Sequence, residues 1–281
     1  MMTRRLMMAA LAASVPAKGR AQFVPQKTTL SILSGTSPTH RMDVRDGGGY
    51  RIFRAIPHGG ADHAIYLLDG NGAFDVLTQD LLAACPRLAI FGIGYPTDYK
   101  FDTDRRSLDY TPPVAAGPMP APQRPSRMIG GAGLFLPRLT GELRRIAEEG
   151  STILTRTLWG HSFGGLFALH ALFTKPESFD RYAAISPSLW WGDGMLITVA
   201  RMPLARTTPL LIACGDAEAR RGDLDDDAFR HRLAVEAAQR QEFFDTLRET
   251  PRLVLEERVF LGLGHGQTLA ASLPFALEMA E

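Results

Sequence analysis

Residues 157–165 read Thr-Leu-Trp-Gly-His-Ser-Phe-Gly-Gly. A short apolar segment precedes Gly160, and apolar residues at helical spacing follow Gly165. The spacing Gly-x-Ser-x-Gly between a strand and a helix is typical of a nucleophile elbow, a sharp turn that exposes a serine. Both motif positions are expected to require glycine, which has no Cβ, because strand and helix pass closely there. We therefore predict that Ser162 is a nucleophile and that the amide of Phe163 faces an oxyanion.

The composition is that of a globular chain. Its 281 residues are 45% hydrophobic and 22% charged, which suits one large α/β domain. A net charge of +1 argues against nucleic acid or an acidic membrane surface as the main partner. No apolar run in the body reaches the roughly 18 residues of a membrane-spanning helix. No metal or phosphate-loop motif is present, so no metal and no cofactor are predicted. The oligomeric state is left open, as is any pairing of Cys85 with Cys214.

The N-terminus differs from the rest of the chain. Residues 1–21 begin with a basic segment containing two adjacent arginines, continue as an apolar run and end in small residues. This order is typical of a secretory signal peptide, with cleavage after Ala17 or Ala21. The alternative is a basic, disordered start on a cytosolic protein. We predict a signal peptide over 1–21, a single catalytic domain over 22–281, and a periplasmic or secreted location.

Strands and helices alternate along the body of the chain. Buried strands are predicted at residues 63–68, 88–94, 157–161, 181–187, 210–214 and 253–260. Helices are predicted at residues 75–84, from residue 130 onward, after the serine turn, at 226–248 and at 267–280. The alternation and the nearly continuous apolar strands predict a mostly parallel central sheet with helices on both faces.

Two segments are less regular. Residues 28–34 and 50–57 are predicted as strands, with a hairpin turn at the three glycines 47–49. Residues 95–127 are predicted to be irregular, and residues 112–125 too rich in proline for regular structure. In a compact domain, a loop of this length is usually functional or disordered.

A serine hydroxyl needs a base within hydrogen-bond reach, and the base needs a third group to orient it. His265 is the predicted base because glycines flank it in a loop after the last strand. His161 belongs to the serine turn and is assigned to shaping it. For the acid, the spacing from Gly215 favours Glu218 over Asp216. Both residues remain candidates, and a Ser–His pair without a strong acid is a third possibility. Candidates are sought after late strands because open α/β sheets bind ligands at the carboxyl ends of their strands.

A second oxyanion donor is expected after the third strand. Asn71 follows the apolar run 63–68 directly after Asp69 and Gly70, and its amide is the predicted donor. Gly72 is the alternative.

Taken together, these features resemble the esterase family of α/β-hydrolases, in particular the bacterial branch that includes trilactone esterases of ferric catecholate siderophores. The matching stretches are residues 66–71, 92–95, 106–112, 130–131, 160–172, 186–191 and 264–266. The resemblance covers about residues 28–280. It implies the α/β-hydrolase fold and ester hydrolysis through an acyl-enzyme on Ser162, with His265 and an acid in support and no metal.

The resemblance also suggests substrate contacts. Arg106 precedes the Asp-x-Thr-Pro turn and is expected to border the substrate; the alternative is a structural pair with Asp109. Trp190 is expected to line the pocket, although Trp190 and Trp191 could equally belong to the core. A guanidinium and aromatic rings suit a catecholate anion. We therefore predict a serine ester hydrolase for siderophore trilactones or related small-molecule esters. An acyltransferase with the same machinery and a non-catalytic periplasmic binding protein are the alternatives.

Overall fold

The computed structural model describes residues 25–114, 116–218 and 227–281. The predicted signal peptide lies outside these residues. The described strands are β1 (His40–Gly47), β2 (Tyr50–Pro57), β3 (His63–Leu68), β4 (Leu88–Gly94), β5 (Met119–Ala121), β6 (Arg124–Ile129), β7 (Thr155–His161), β8 (Arg181–Ile185), β9 (Thr208–Gly215) and β10 (Leu253–Phe260).

Eight of these strands form one sheet in the order β1-β2-β4-β3-β7-β8-β9-β10. The pairs β1–β2 and β2–β4 are antiparallel, and the other five pairs are parallel. Strands β5 and β6 form a separate hairpin. The predicted mostly parallel sheet is confirmed, and the parallel part places the carboxyl ends of β3, β7, β8, β9 and β10 along one edge.

The inner strands are apolar on both faces because helices cover both faces. All seven residues of β4 are buried, as are five of the six residues of β3. The outermost strands β1 and β10 contain many exposed residues instead. This difference explains why the inner strands are visible in the sequence as apolar runs.

The helices lie in two layers. They are α1 (Gly70–Asp75), α2 (Gln79–Ala84), α3 (Thr103–Tyr110), α4 (Ala132–Arg138), α5 (Arg144–Ala147), α6 (Phe163–Thr174), α7 (Met195–Ala200), α8 (Asp227–Glu249) and α9 (Thr268–Ala280), with a π-helical turn at Leu139–Leu143 between α4 and α5. One buried cluster joins the sheet to α3–α8, and a second joins its other face to α1, α2 and α9. Burial of both faces supplies most of the stabilisation of such a fold.

The predicted strand at residues 28–34 is wrong. Residues Ser31–Ser34 form a 3₁₀ turn, and the strand that forms a hairpin with β2 is β1. The Asp75 carboxylate accepts hydrogen bonds from the amides of Thr29 and Leu30, which holds this segment against α1. Strand β1 was not predicted because it lies at the sheet edge and contains many charged residues and few apolar ones. The glycine turn at 47–49 was placed correctly, but it joins β1 to β2.

The segment predicted to be irregular contains regular structure. Helix α3 begins at an Asp102 cap, whose carboxylate accepts from the Arg105 amide, and β5 and β6 pair although both contain a proline. Proline is tolerated there because a two-stranded hairpin leaves one edge of each strand unpaired. The helix predicted at 75–84 begins only at Gln79, as α2 with Thr78 as its cap, because α1 has already ended at Asp75.

The serine turn depends on two close backbone approaches. A Cβ at Gly160 would overlap the backbone of Gly164, and a Cβ at Gly165 would lie 2.9 Å from the Ile185 carbonyl oxygen. A Cβ at Gly164 would meet Leu68 Cβ at 3.4 Å, an ordinary contact. The steric expectation is therefore correct for Gly160 and wrong for Gly164, and the second glycine that packing requires is Gly165.

We expect Gly160→Ala to lower the free energy of unfolding by at least about 3 kcal/mol, because the added methyl group meets backbone that cannot move aside. Gly164→Ala is the matched control and should change that free energy by less than about 1 kcal/mol. Urea denaturation of both variants measures the difference. Equal destabilisation by the two substitutions would contradict the packing described for this turn.

Candidate active site

Ser162 lies at the turn between β7 and α6. Its φ of 61° and ψ of −117° are unfavourable for a non-glycine residue, and such strain typically costs about 1–3 kcal/mol. The turn is held by its neighbours, because the Ser162 amide donates to the Ile185 carbonyl at 2.9 Å and its carbonyl accepts from the Leu166 amide at 2.9 Å. The sharp strand-to-helix turn predicted at Ser162 is present in the structure.

His265 lies in the loop between β10 and α9. Its side chain is 45% exposed, and its Nδ1 is 3.2 Å from Oε2 of Glu218. Glu218 follows β9, so both groups come from strand ends at the same edge of the sheet. A carboxylate at Nδ1 holds the imidazole in the tautomer that leaves Nε2 free to accept a proton.

Of the two candidate acids, the structure pairs Glu218 with His265. Asp216 instead accepts a hydrogen bond from the Gly262 amide at 2.6 Å. The other oxygen of Glu218 accepts from the Gly215 amide at 2.6 Å and from Ser186 Oγ at 2.7 Å. Burial alone would raise the pKa of Glu218, but hydrogen bonds from His265, Ser186 and Gly215 lower this pKa to about 2. Glu218 is therefore ionised throughout the neutral range.

A second set of hydrogen bonds fixes the backbone of the histidine loop. His161 Nε2 donates to the His265 carbonyl at 2.7 Å, and Thr268 Oγ1 reaches the same oxygen at 2.7 Å. Ser186 Oγ must donate to Glu218, since a carboxylate only accepts. In its 2.7 Å contact with Thr268 Oγ1 it therefore accepts, and the single hydroxyl proton of Thr268 serves either this contact or the His265 carbonyl. Glu218 and the His265 backbone are thus tied into one network.

His161 is the neutral member of this network. Burial, followed by the nearby His265, lowers the pKa of His161 to about 3. The role of shaping the turn that the sequence suggested for His161 extends to the loop of His265.

The serine and the histidine are linked through His161, and no hydrogen bond joins their side chains among the described residues. The ring centroids of His161 and His265 are 4.8 Å apart, and Ser162 follows His161 directly in the chain. Within the described residues, Ser162 Oγ makes no hydrogen bond. Catalytic hydrogen bonds are often long in ligand-free proteins and tighten when substrate binds.

The two predicted oxyanion donors follow neighbouring strands. Asn71 lies in the first turn of α1 after β3, Phe163 begins α6 after β7, and β3 pairs with β7 in parallel. Neither backbone amide donates to any residue that the structure describes, and the same holds for the Gly72 amide. The Asn71 side chain is occupied, with Nδ2 donating to the carbonyls of Tyr95 and Thr97 and Oδ1 accepting from the Tyr95 amide.

Arg106 projects from α3 towards these loops. Its Nε and Nη2 donate to the two carboxylate oxygens of Asp69 at 2.9 and 2.8 Å. The suggested structural partner Asp109 is wrong, because that carboxylate accepts from the hydroxyls of Tyr50 and Tyr95. The Arg106 side chain is 12% exposed.

An aromatic surface adjoins the serine. The Phe163 ring lies 6.0 Å from Trp190 and 5.6 Å from Trp191, between ring centroids. Trp190 is 47% exposed, whereas Trp191 is buried and donates its Nε1–H to the Pro112 carbonyl. The structure therefore separates the pair: Trp191 belongs to the core, and Trp190 faces solvent beside the turn.

Comparison with known proteins identifies the family. Residues 135–246 match the model of the family described as "Putative esterase". A siderophore enterobactin esterase of Emericella nidulans is 32% identical over 246 residues, which is 76% of this chain and 80% of the relative. The chain belongs to this esterase family.

Other similar proteins agree. The ferri-bacillibactin esterase BesA of Bacillus subtilis is 31% identical over 241 residues, covering 77% of this chain and 78% of BesA. The solved structure of the siderophore hydrolase EstA from Aspergillus nidulans has a TM-score of 0.70 at 30% identity, with 87% of this chain and 95% of that chain covered. The esterase thus has the α/β-hydrolase fold and is a carboxylic ester hydrolase of the serine type. The acyltransferase and binding-protein alternatives gain no support from these relatives.

Sequence reasoning missed three residues of the esterase site: Asp69, Ser186 and Thr268. Asp69 and Ser186 share one feature that the sequence shows, because each directly follows a buried strand. The structure adds that both have a positive φ, of 52° and 44°. Polar residues at strand ends of a parallel sheet could have been chosen as candidates on that ground. Thr268 gives no such signal, because it begins a helix of mainly apolar residues.

Cys85 and Cys214 carry free thiols. Within the described ranges, no group of three or more His, Cys, Asp or Glu side chains is arranged to hold a metal ion. No helix in the same ranges is both long and apolar enough to cross a bilayer.

Proposed function

We propose that Ser162 is the nucleophile and His265 the general base of this ester hydrolase. As Ser162 Oγ bonds to the ester carbonyl carbon, its proton passes to His265 Nε2 and the carbonyl oxygen becomes an oxyanion. The bond to the alcohol oxygen then breaks, and His265 returns the proton to that oxygen. Water repeats the two steps on the acyl-enzyme, which releases the acid and restores the serine hydroxyl. The contact between Glu218 and His265, at the edge where the serine turn ends, carries this assignment.

Glu218 acts as the orienting acid in this proposal. Its ionised carboxylate fixes the His265 tautomer and stabilises the imidazolium that forms during both steps. The backbone amides of Phe163 and Asn71, with Gly72 as the alternative to Asn71, stabilise the oxyanion. The absence of any other acceptor for these amides among the described residues supports the assignment.

We infer that the substrates are siderophore esters. Relatives of this esterase are named for enterobactin and ferri-bacillibactin, and EstA is named a siderophore hydrolase. The exposed Trp190 beside Phe163 offers a flat apolar surface on which a catechol ring could stack. A half-exposed His265 suits a bulky ester that only partly enters the protein. Direct contact of Arg106 with the substrate stays a prediction.

The substrate proposal is tested with a ferric enterobactin-type trilactone, a feruloyl ester and p-nitrophenyl butyrate, with products identified by mass spectrometry. We expect hydrolysis of all three, with the trilactone giving the highest kcat/KM. Ser162→Ala should lower each rate by more than about 10³-fold and abolish labelling by a fluorophosphonate, at an unchanged melting temperature. Full activity of Ser162→Ala would remove the nucleophile assignment. Turnover of the simple ester without the trilactone would remove the substrate assignment alone.

The choice of acid is tested by two matched amide substitutions. Glu218→Gln places an amide NH₂ against His265 Nδ1 and favours the wrong tautomer, so we expect kcat to fall by about 10²–10⁴-fold. Asp216→Asn keeps an oxygen for the Gly262 amide and should stay within about 3-fold of the wild type. Steady-state kinetics on p-nitrophenyl butyrate measures both. A larger loss in Asp216→Asn than in Glu218→Gln would exchange the two assignments.

We further propose export to the periplasm or the medium. The proposal is supported by the basic, apolar and small-residue order of residues 1–21. The intact mass of protein recovered from the periplasm or medium should correspond to a chain that begins after Ala17 or Ala21. Uncleaved protein confined to the cytosol would contradict export.

A further inference from the structure

One guanidinium joins the two loops that carry the proposed oxyanion amides. Arg106 binds Asp69, which ends the strand before Asn71, through the two hydrogen bonds of 2.9 and 2.8 Å. The same Nη2 lies 3.4 Å from the His161 carbonyl oxygen, directly before Ser162. Its guanidinium carbon is 5.4 Å from the centroid of the Phe163 ring. Arg106 therefore contacts both of the loops that present the proposed oxyanion donors.

The buried position and fixed backbone of Asp69 favour this pairing. It is 1% exposed, its φ is 52°, and its amide donates to the Tyr110 hydroxyl at 3.0 Å. Both carboxylate oxygens face Arg106, so loss of the guanidinium would leave a buried charge without a partner. Asp69 thus fixes the direction in which the loop that carries Asn71 leaves β3.

The guanidinium is itself held from several sides. The rings of Phe101 and Tyr110 lie 5.4 and 5.7 Å from its central carbon, in addition to the Phe163 ring. Such packing together with bidentate pairing fixes the group in one orientation. With only 12% of the side chain exposed, little of Arg106 is available to a substrate.

We propose that Arg106 is a positioning residue, which acts through Asp69 and the His161 carbonyl to set the separation of the Asn71 and Phe163 amides. The inference rests on the proposed oxyanion hole. It differs from a substrate contact because it acts on every ester, charged or neutral. Donors aimed at an oxyanion lose much of their effect when misplaced by about 1 Å, which can cost up to about 10²-fold in rate.

The test uses p-nitrophenyl butyrate, a neutral ester that offers no anion to a guanidinium. We expect Arg106→Met to lower kcat by about 10–100-fold while KM stays within about 3-fold, and the rate of labelling by a neutral fluorophosphonate to fall in parallel. Arg106→Lys keeps the charge without the bidentate geometry and should give an intermediate loss. Arg105→Met is the matched control, because this neighbouring arginine packs on Tyr50 and Tyr95 instead and should leave kcat unchanged.

A double-mutant cycle separates positioning from direct contact. If Arg106 acts through Asp69, the variant carrying both Asp69→Asn and Arg106→Met should lose no more kcat than the worse single variant. The double variant also removes the unpaired buried charge, so it stays informative if Arg106→Met alone fails to fold, and thermal denaturation checks all variants. A loss of kcat in the double variant equal to the product of the two single losses would overturn the proposal.

Unchanged kcat on the neutral ester, with a raised KM for an anionic catecholate ester, would also overturn the positioning role and return Arg106 to substrate binding. That result differs from failure of the proposed function. Failure of the function appears as full activity of Ser162→Ala, whereas failure of this inference appears in Arg106 variants of an enzyme that still depends on Ser162.

Discussion

The strained backbone of Ser162 is the constraint on which the rest of the structure depends. A serine at φ 61° is unfavourable by about 1–3 kcal/mol, and the surrounding packing must hold it there. The helix that follows is buried along most of its length, and Gly160 and Gly165 let it cross β7 and β8 at backbone contact. Relaxing the turn would move α6 out of the core, so the strain persists because core packing opposes its release.

The parallel sheet brings the other groups to this turn. Strands β3, β7, β8, β9 and β10 end at one edge, and each is followed by a residue of the site: Asp69, Ser162, Ser186, Glu218 and His265. Three of these residues, Asp69, Ser162 and Ser186, are among the six non-glycine residues with positive φ in the described chain. Backbone strain is thus concentrated where polar groups must turn back over the strand ends, as is common at functional sites.

The sequence predicted what depends on local pattern and missed what depends on partners. The inner strands, the serine turn and His265 were readable because apolar runs and glycine spacing have few competing interpretations. Strand β1 was not readable, since an edge strand needs only one apolar face. Helix α3 is short and polar, and its Asp102 cap was its main local signal. The pairing of Arg106 with Asp69 spans 37 residues of chain, and no spacing rule gives such a contact.

The charges of the site are arranged so that a proton on His265 meets little repulsion. On the His161 side, the Arg106 guanidinium lies 3.4 Å from the His161 carbonyl oxygen, and the Asp69 carboxylate neutralises it directly. His161 lies between the two and stays neutral, because burial lowers its pKa to about 3. Glu218 faces His265 from the other side as a carboxylate with a pKa of about 2. In the proposed mechanism, an imidazolium at His265 therefore lies next to one anion and one neutral ring, and the cation beyond that ring is already paired.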